Sequence, residues 1–479
     1  TTILGYYGLQ LGNPANQRTR SYFEEKSNLG YLGRLNYNYN SKYYLTMNYR
    51  KDGYSAFAPG HKFAEFYGGA LAYAISEEAF FKKALPVVNY LKFRLGYGQN
   101  GNQGIDPYET MANVSSGSTV FGPTSTMYIY QGNLSNLSLS WEKTTTLNIG
   151  LNFAAFNNRI SGDLNMYQSQ TTDQLLTRSL PNLSGFASVR TNIGRVDNKG
   201  IEASLTGVII EPKNTNGIRW EATANFWLNR NKVVSLTGVD ADGNGIEDDD
   251  LGNRWFIGKP IGAIYDYRVD GIVQTGDAEY IAKYGAKPGD LKILDINGAA
   301  RGDGLPDGKI NSLDRTIVGY VQPRYSWSFA NTITYKNFQF YFNFNAITGG
   351  GSDNYYMSPN ATYNLTAFGN NQQQNWLNKQ YWTPETPTNT FTRPNYSNPY
   401  GYLYAHARSF VRLQDVSLQY ALNPKQLEKL KIKGLKFYVS AKNSIVFSDW
   451  LGLDPENGGV LGQSNPVFKT INFGTTLTF

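Results

Sequence analysis

The stretch Leu29-Gly-Tyr-Leu-Gly-Arg-Leu-Asn-Tyr-Asn-Tyr-Asn40 alternates in character from one residue to the next. Its odd-numbered positions are apolar or aromatic except for one glycine, and its even-numbered positions are mostly small or polar. A turn at Ser41–Lys42 leads into Tyr43-Tyr-Leu-Thr-Met-Asn-Tyr-Arg50, which alternates in the same way. Because successive side chains of a strand point to opposite faces, the pattern predicts two β-strands with one apolar and one wetted face.

The same alternation extends along the chain and yields about fifteen strand candidates. It returns in Leu91–Tyr97, Trp141–Phe153, Ile160–Tyr167, Ile201–Ile209, Ile218–Leu228, Tyr325–Tyr335, Phe338–Phe344, Val411–Leu422 and Leu435–Phe447. Many of these segments approach or exceed the roughly 9–11 residues that a tilted strand needs to cross a bilayer, whereas ordinary strands have about 5–6 residues. The lengths favour membrane-spanning strands.

The connections between the candidate strands are of two kinds. Asn40–Lys42, Phe156–Asn158 and Lys336–Asn337 are tight turns. The long connections are rich in Gly, Asn and Asp and cover residues 98–127, 229–260, 271–323 and 348–405. Outer-membrane barrels have short periplasmic turns and long external loops. We therefore predict an all-β fold in which residues 1–479 form an antiparallel transmembrane β-barrel of the outer-membrane type, or part of one.

The last strand candidate supports this prediction. Ile471, Phe473, Leu477 and Phe479 alternate with small or polar residues. An unpaired apolar edge strand promotes aggregation of a soluble sheet, whereas closure of a barrel removes the edge. Most aromatic side chains at strand ends are interpreted as the girdles that such barrels place at the two membrane interfaces.

The composition excludes several classes of protein. The 479 residues include no Cys and two His, which excludes disulfides, thiolate chemistry and a histidine cluster. The net charge is +7, but the basic residues are scattered, so we expect no nucleic-acid partner. The sequence has no nucleophile elbow, phosphate-binding loop or zinc spacing. We expect no catalytic residues, no required cofactor and no enzymatic activity.

Six segments carry further motifs. In chain order they are Trp141-Glu-Lys-Thr-Thr-Thr-Leu-Asn-Ile-Gly150, Asn192-Ile-Gly-Arg-Val-Asp-Asn-Lys-Gly-Ile-Glu202, Trp255-Phe-Ile-Gly-Lys-Pro-Ile-Gly-Ala-Ile-Tyr-Asp-Tyr267, Asp314-Arg-Thr-Ile-Val-Gly319, Tyr381-Trp-Thr-Pro-Glu385 and Asn465-Pro-Val-Phe468. In sequence and in order these segments resemble the SusC/RagA family of TonB-dependent outer-membrane transporters. The resemblance spans nearly the whole chain.

The resemblance implies TonB-dependent import of a bulky nutrient across the bacterial outer membrane. Family barrels have about 22 strands, and family members are about twice this length because a plug domain precedes the barrel. We therefore expect the chain to be the C-terminal barrel portion, without the N-terminal plug domain. Polar residues such as Arg34, Asn36, Asn48 and Arg50 would face the lumen and keep it wet.

The resemblance also implies partners. They are a SusD-like substrate-binding lipoprotein on the external loops, the TonB complex acting through the missing plug, and outer-membrane lipid. Oligosaccharides are the expected cargo and peptides the alternative. The loop aromatics Trp255, Tyr355, Tyr356, Trp376 and Trp382 are candidates for stacking on a sugar, although large loops also need small cores of their own.

Two acidic loops are candidate calcium sites. In the first, the oxygen ligands would be Asp240, Asp242, Asn244 and Asp248, and Gly245 stands at the sixth position, where a calcium loop reverses direction. The twelfth position is a leucine, so the usual bidentate carboxylate is missing there. Asp, Asn and Gly are also common in solvated turns for conformational reasons alone.

The second acidic loop is interrupted. Its candidate ligands are Asp295, Asn297, Asp307, Asn311 and Asp314, with nine residues inserted after the second of them. Without the insertion the spacing would match a calcium loop closed by Asp314. Any bound calcium would stiffen an external loop rather than take part in a reaction.

Two other function classes stay open at this point. A plug-free passive porin would conduct ions without TonB. A soluble all-β carbohydrate-binding or glycoside hydrolase module would partition into water without detergent, but the long strands argue against it.

Overall fold

The structure is a computed structural model that describes residues 23–180, 182–214, 217–240, 243–296, 304–353, 380–394, 396–423, 427–428, 432–451, 454–456 and 467–479. Long antiparallel strands dominate it. Thirteen of them form one sheet. The alternation therefore predicted the fold class correctly, although the main sheet has thirteen described strands rather than about fifteen.

The main strands run well beyond the length of ordinary soluble strands in most cases. Their bounds are β1 (Asn28–Tyr39), β2 (Tyr43–Tyr54), β3 (Phe63–Ala74), β4 (Val88–Asn102), β7 (Glu142–Ala155), β8 (Ile160–Ser179), β9 (Ser188–Ile210), β10 (Ile218–Ser235), β15 (Pro323–Tyr335), β16 (Phe338–Gly349), β19 (Phe410–Ala421), β20 (Gly434–Phe447) and β21 (Thr470–Thr478). Each strand follows its neighbour in sequence order, so the sheet is an antiparallel meander.

Shorter elements lie in the connections. They are β5 (Val114–Phe121), β6 (Thr124–Gln131), β11 (Ala263–Tyr267), β12 (Val269–Ile272), β13 (Leu291–Ile293), β14 (Arg315–Tyr320), β17 (Gly351–Asp353), β18 (Ala405–Ala407), and the helices α1 (Ala79–Ala84) and α2 (Ala278–Tyr284). The pairs β5-β6, β11-β14, β12-β13 and β17-β18 each form a two-stranded sheet. The loop predicted at 229–260 begins later because β10 continues to Ser235. Residues 271–323 contain β12, β13, β14 and α2.

The predicted tight turns are present. Asn40 and Ser41 have φ values of 51° and 55°, and Phe156–Asn158 all have positive φ. Asn readily adopts this left-handed conformation, which matches the twist of a tight hairpin. These turns leave one end of the sheet with short connections, and the long connections follow the other strand ends.

None of the helices among the described residues is long and apolar enough to span a membrane.

The described residues divide into two compact units. The first is assigned Thr1–Asn152, Asn165–Lys199 and Asn231–Asp248, and the second Phe153–Leu164, Gly200–Arg230 and Asp249–Phe479. The first unit has an aromatic core in which the Trp141 ring lies 5.4 Å from Phe57 and 5.8 Å from Phe66. The Trp141 indole also donates a hydrogen bond to the Lys62 carbonyl at 3.1 Å. This core ties the loop between β2 and β3 to the start of β7.

Candidate functional site

The two faces of the β1-β2 hairpin differ in chemistry. Arg34 lies opposite Asn48 in the register, and Asn36 lies opposite Thr46. The side-chain oxygen Oδ1 of Asn36 accepts hydrogen bonds from Arg34 Nε at 3.2 Å and from the Thr46 hydroxyl at 3.1 Å. Arg50, on the same face, donates from Nε to Asp52 at 2.7 Å. The residues predicted to face the lumen therefore share one polar face of the hairpin, which carries two separate hydrogen-bonded groups.

The opposite face of the same hairpin is apolar and open. Leu35, Tyr37 and Met47 are 57%, 56% and 51% exposed. A soluble sheet would cover so continuous an apolar surface, whereas the outer face of a membrane barrel meets hydrocarbon. We assign this face to lipid and the polar face to the lumen.

A wide recess opens on this part of the first unit. Its volume is about 840 Å³. Its polar lining includes Asn48, Arg50, Asp52, Asn100, Asn102 and Asn148. The residues at the base of the recess have little or no side chain, because Gly68 lies opposite Gly98 and Ala70 opposite Gly96 in the β3-β4 register. Small residues here leave room over the wall, and the amides and charges around them provide hydrogen-bonding groups for a polar solute.

In the second unit the long connections fold together into a structure that we call the loop module, which comprises the described residues within 256–322 and 380–407. Its buried core consists of Tyr267, Ile272, Leu291, Ile293, Trp382, Tyr396 and Tyr404. Several polar contacts join the two segments. Among them, Ile272 N donates to Asn389 Oδ1, Arg393 Nε to Asp290 Oδ1, and Leu403 N to Asp266 Oδ2. The described parts of two separate loops therefore form one folded body.

The loop module changes the interpretation of the predicted stacking aromatics. Trp382 is only 5% exposed and its indole donates to Gln274 Oε1 at 2.9 Å. Trp382 is thus a core residue, as expected if a large loop builds a small core of its own. Stacking of Trp382 on a sugar stays a prediction. Trp255 is half-buried. Tyr355, Tyr356 and Trp376 lie outside the described residues.

The first acidic loop uses its side chains to hold its own backbone. Asp240 accepts hydrogen bonds from the amides of Asn244 and Gly245 at 3.1 and 2.8 Å. Asn244 accepts from the amide of Ile246. Asp248 lies in the same loop, where its amide donates to the Val239 carbonyl, and Asp242 lies outside the described residues.

The second acidic loop shows the same behaviour. Asp295 accepts from the Asp307 and Gly308 amides and from the Tyr284 hydroxyl. Asn311 and Asp314 form a reciprocal capping box at the 3₁₀ turn Ser312–Asp314. Asp314 is fully buried and also accepts from the Ile296 amide at 2.9 Å.

Calcium binding at either loop stays a prediction. Within the described part of the chain, no group of three or more His, Asp or Glu side chains is arranged to hold a metal ion. Asn297, one of the candidate ligands, lies outside the described residues. The backbone amides that bind Asp240 and Asp295 occupy lone pairs that a calcium ion would need. Calorimetric titration of the purified protein with calcium, with Asp240→Asn and Asp295→Asn variants as controls, tests the prediction directly.

The Asp295 contacts lead to an expected pH dependence. Burial by itself raises the pKa of Asp295, but hydrogen bonds from Tyr284, Gly308 and Asp307 outweigh it and lower the pKa below its ordinary value. A carboxylate with a lowered pKa stabilises the folded state above its unfolded pKa, and that contribution is lost as the pH falls through the folded-state pKa. We expect the contribution of Asp295 to the stability of the loop module to be present near neutral pH and to be lost below about pH 4.

Hydrogen exchange of the loop module amides across an acid titration measures this loss. Asp295→Asn removes the titrating group, so this variant should be less stable at neutral pH but should show a shallower acid-dependent loss. If stability fell equally steeply with decreasing pH in both proteins, Asp295 would not be the group responsible for the acid-dependent loss.

Sequence reasoning missed two buried charged residues in the second unit. Asp266 is 2% exposed, and burial raises the pKa of its carboxyl above the ordinary value despite hydrogen bonds from the Leu403 and Tyr267 amides. Arg412 is 1% exposed and forms ion pairs with Asp454 and Glu456. Both residues stand in strands at positions where alternation predicts only which face they occupy, so their partners could not be found from the sequence.

Comparison with known proteins supports the sequence resemblance. No protein-family model matches the chain. TonB-dependent receptor P3 of Formosa agariphila is 31% identical over an alignment covering 100% of this chain and 48% of the relative. TonB-dependent receptor SusC of Bacteroides thetaiotaomicron is 28% identical, with 96% of this chain and 44% of the relative covered. The chain thus spans about half the length of the curated relatives it matches.

The fold comparison agrees. The structure of the RagAB peptide transporter matches with a TM-score of 0.75 and 25% sequence identity, and the match covers 98% of this chain and 50% of that chain. These relatives are receptors and transporters, which confirms the prediction that the chain is not an enzyme. Their barrels lie in the outer membrane of Gram-negative bacteria, and the apolar face of the sheet fits that location. Along its whole length the chain is therefore similar to TonB-dependent outer-membrane proteins of the SusC/RagA family.

Proposed function

We propose that the chain supplies barrel wall and external loops to a TonB-dependent importer of a bulky polar nutrient. The observation that carries the proposal is the match over the whole chain to TonB-dependent receptors. The polar face of β1 and β2 supports it, because amides and charges along a lumen hydrate a polar solute as it passes. The recess of about 840 Å³ gives such a solute room beside the wall.

The partners in this proposal come from the family. A SusD-like lipoprotein would capture the nutrient at the cell surface and deliver it to the external loops. The TonB complex would supply energy from the periplasm through a plug domain. Co-purification of a surface lipoprotein with the outer-membrane protein that contains this chain tests the first partner.

An uptake assay tests the transport activity. Cells that produce the protein are given labelled oligosaccharides or labelled peptides, and uptake is compared in the presence and absence of TonB. We expect uptake to fall to background without TonB, because import against a gradient needs an energy source. Uptake and ion conductance that persist without TonB would favour a passive porin and contradict the proposal.

The proposal allows two classes of imported nutrient, oligosaccharides and peptides. Oligosaccharides were favoured by loop aromatics, but the described Trp382 serves a core and three of the other candidates lie outside the described residues. Peptides are favoured by the likeness to the RagAB peptide transporter. Competition between unlabelled oligosaccharides and unlabelled peptides in the same uptake assay distinguishes them.

A further inference from the structure

The connection between β3 and β4 is longer than the turn between β1 and β2 at the same end of the sheet. Whereas β1 and β2 are joined by three residues, residues 75–87 form a 3₁₀ turn and the helix α1. We call residues 75–87 the foot. It lies on the side of the short turns, which in outer-membrane barrels is the periplasmic side.

The foot is attached to the lipid-facing surface through Glu78. The Glu78 carboxylate accepts from Lys42 Nζ at 2.8 Å and from the hydroxyls of Tyr43 and Tyr73 at 3.2 and 3.3 Å. Tyr43 lies opposite Tyr73 in the β2-β3 register, and the two rings stack with centroids 5.0 Å apart. These tyrosines share a face with the exposed Met47, so the foot begins where the apolar face ends.

An apolar groove continues from the stacked tyrosines along the sheet. Its volume is about 550 Å³. Its apolar lining includes Tyr37, Leu45, Leu71, Phe93, Leu95 and Ile149. A groove of this kind on a lipid-facing surface accommodates an acyl chain, because hydrocarbon replaces the water that would otherwise contact these side chains.

The foot exposes apolar side chains of its own. Phe80, Leu85 and Val87 are 61%, 50% and 47% exposed, whereas Phe81 is 6% exposed and anchors the helix. Three large apolar side chains within eight residues form a patch that a water-exposed turn has no reason to carry. The patch is continuous along the chain with the lipid-facing surface at Glu78.

The charges of the foot suit a phospholipid surface. Lys82 pairs with Glu77 at 2.9 Å, and Lys42 pairs with Glu78. Lys83 forms no ion pair within the described residues and lies in the last turn of α1. A cationic side chain beside exposed apolar residues is typical of segments that lie in the membrane interface, where the ammonium group meets lipid phosphates.

We propose that the foot is an interfacial anchor that lies in the periplasmic-side phospholipid leaflet. Phe80, Leu85 and Val87 enter the boundary between headgroups and acyl chains, and Lys83 contacts phosphate. The anchor fixes the depth of this part of the barrel in the bilayer, because withdrawing the patch would expose it to water. The inference rests on the fold and the membrane location and does not depend on the transported nutrient.

The 479 residues contain no cysteine, so a cysteine introduced in the foot is unique within them and allows a direct test. Single cysteines replace Phe80 or Leu85 in the outer-membrane protein that contains this chain, and each carries a nitroxide spin label. The protein is reconstituted in vesicles of phosphatidylethanolamine and phosphatidylglycerol. Collisions of the label with oxygen, which dissolves in lipid, are compared with collisions with a polar nickel complex, which stays in water.

Two control positions frame the result. Leu71→Cys lies on the lipid-facing side of β3, and Phe121→Cys lies at the tip of the β5-β6 hairpin, where the native side chain is 71% exposed. We expect labels at Phe80 and Leu85 to collide more often with oxygen than with the nickel complex, as at Leu71. The label at Phe121 should collide more often with the nickel complex. Lys83→Glu should shift the Phe80 label toward water in vesicles that contain phosphatidylglycerol.

Two outcomes would overturn the proposal. Labels at Phe80 and Leu85 that favour nickel as strongly as the Phe121 label would place the foot in water. Labels shielded from both reagents would mean that a protein surface, and not lipid, covers the patch.

Discussion

Replacing Asp454 with Ala is expected to destabilise the second unit by about 3–5 kcal/mol, because it leaves a buried guanidinium without its main counter-charge. The Arg412 side chain is 1% exposed, and Nη2 contacts the Asp454 carboxylate, which is 14% exposed. Glu456 lies 3.3 Å from the same nitrogen but is 42% exposed, so solvent weakens its contribution. Urea unfolding in detergent micelles, followed by the mobility of the folded barrel on gels, measures the loss.

A solvent-exposed ion pair of the protein provides a control. Lys26 and Glu24 lie 3.8 Å apart with side chains 60% and 30% exposed, so Glu24→Ala should cost less than about 1 kcal/mol. Replacing both Arg412 and Asp454 by Met and Leu should recover most of the lost stability, since no charge is then left buried. An Asp454→Ala variant as stable as Glu24→Ala would show that the ion pair does not stabilise the fold.

Trp382→Ala is expected to destabilise the loop module by about 3–5 kcal/mol, because it opens a cavity in a small core. The core also loses the hydrogen bond from the indole to Gln274. At Gly289, whose φ is +88°, even a Cβ would lie 2.7 Å from the Trp382 ring, so the backbone approaches the ring closely. Hydrogen exchange should become faster in α2 and in β12 and β13, while β15 and β16 keep their protection.

This experiment separates a core tryptophan from a substrate-stacking one. A stacking residue would lose binding on replacement while hydrogen exchange stayed unchanged. Trp382→Phe keeps most of the ring volume and loses only the indole donor, so its effect should be clearly smaller. Trp255→Ala, at a half-buried position, serves as a second control and should leave the loop module core intact.

Alternation predicted most main strands because their two faces meet different surroundings. In β1 and β2 most odd positions are apolar and most even positions are small or polar, and the structure pairs odd with odd and even with even positions. The turns at Asn40 and Asn157 were predictable since Asn tolerates positive φ. These features depend on neighbours one or two residues away.

The strand β3 shows where the pattern fails. Phe63–Ala74 carries aromatic or small residues on both faces, so alternation gives almost no signal. Phe66 is buried against Trp141 in the aromatic core, and Gly68 and Ala70 lie under the recess. The residue types in β3 therefore suit its packing against distant segments of the chain. A two-residue periodicity of the sequence does not reveal such packing.

The sequence by itself determined the long antiparallel strands, the separation of polar and apolar faces and the asymmetry of short and long connections. Each follows from the two-residue period of a strand and from turn chemistry, which act locally. Tertiary structure alone decided that Trp382 is a core residue, that Asp295 binds the amides of Asp307 and Gly308 across an insertion and that Arg412 is buried beside Asp454. These outcomes depend on contacts between residues up to about a hundred positions apart in the chain, and a local pattern carries no information about which distant segment will supply the partner.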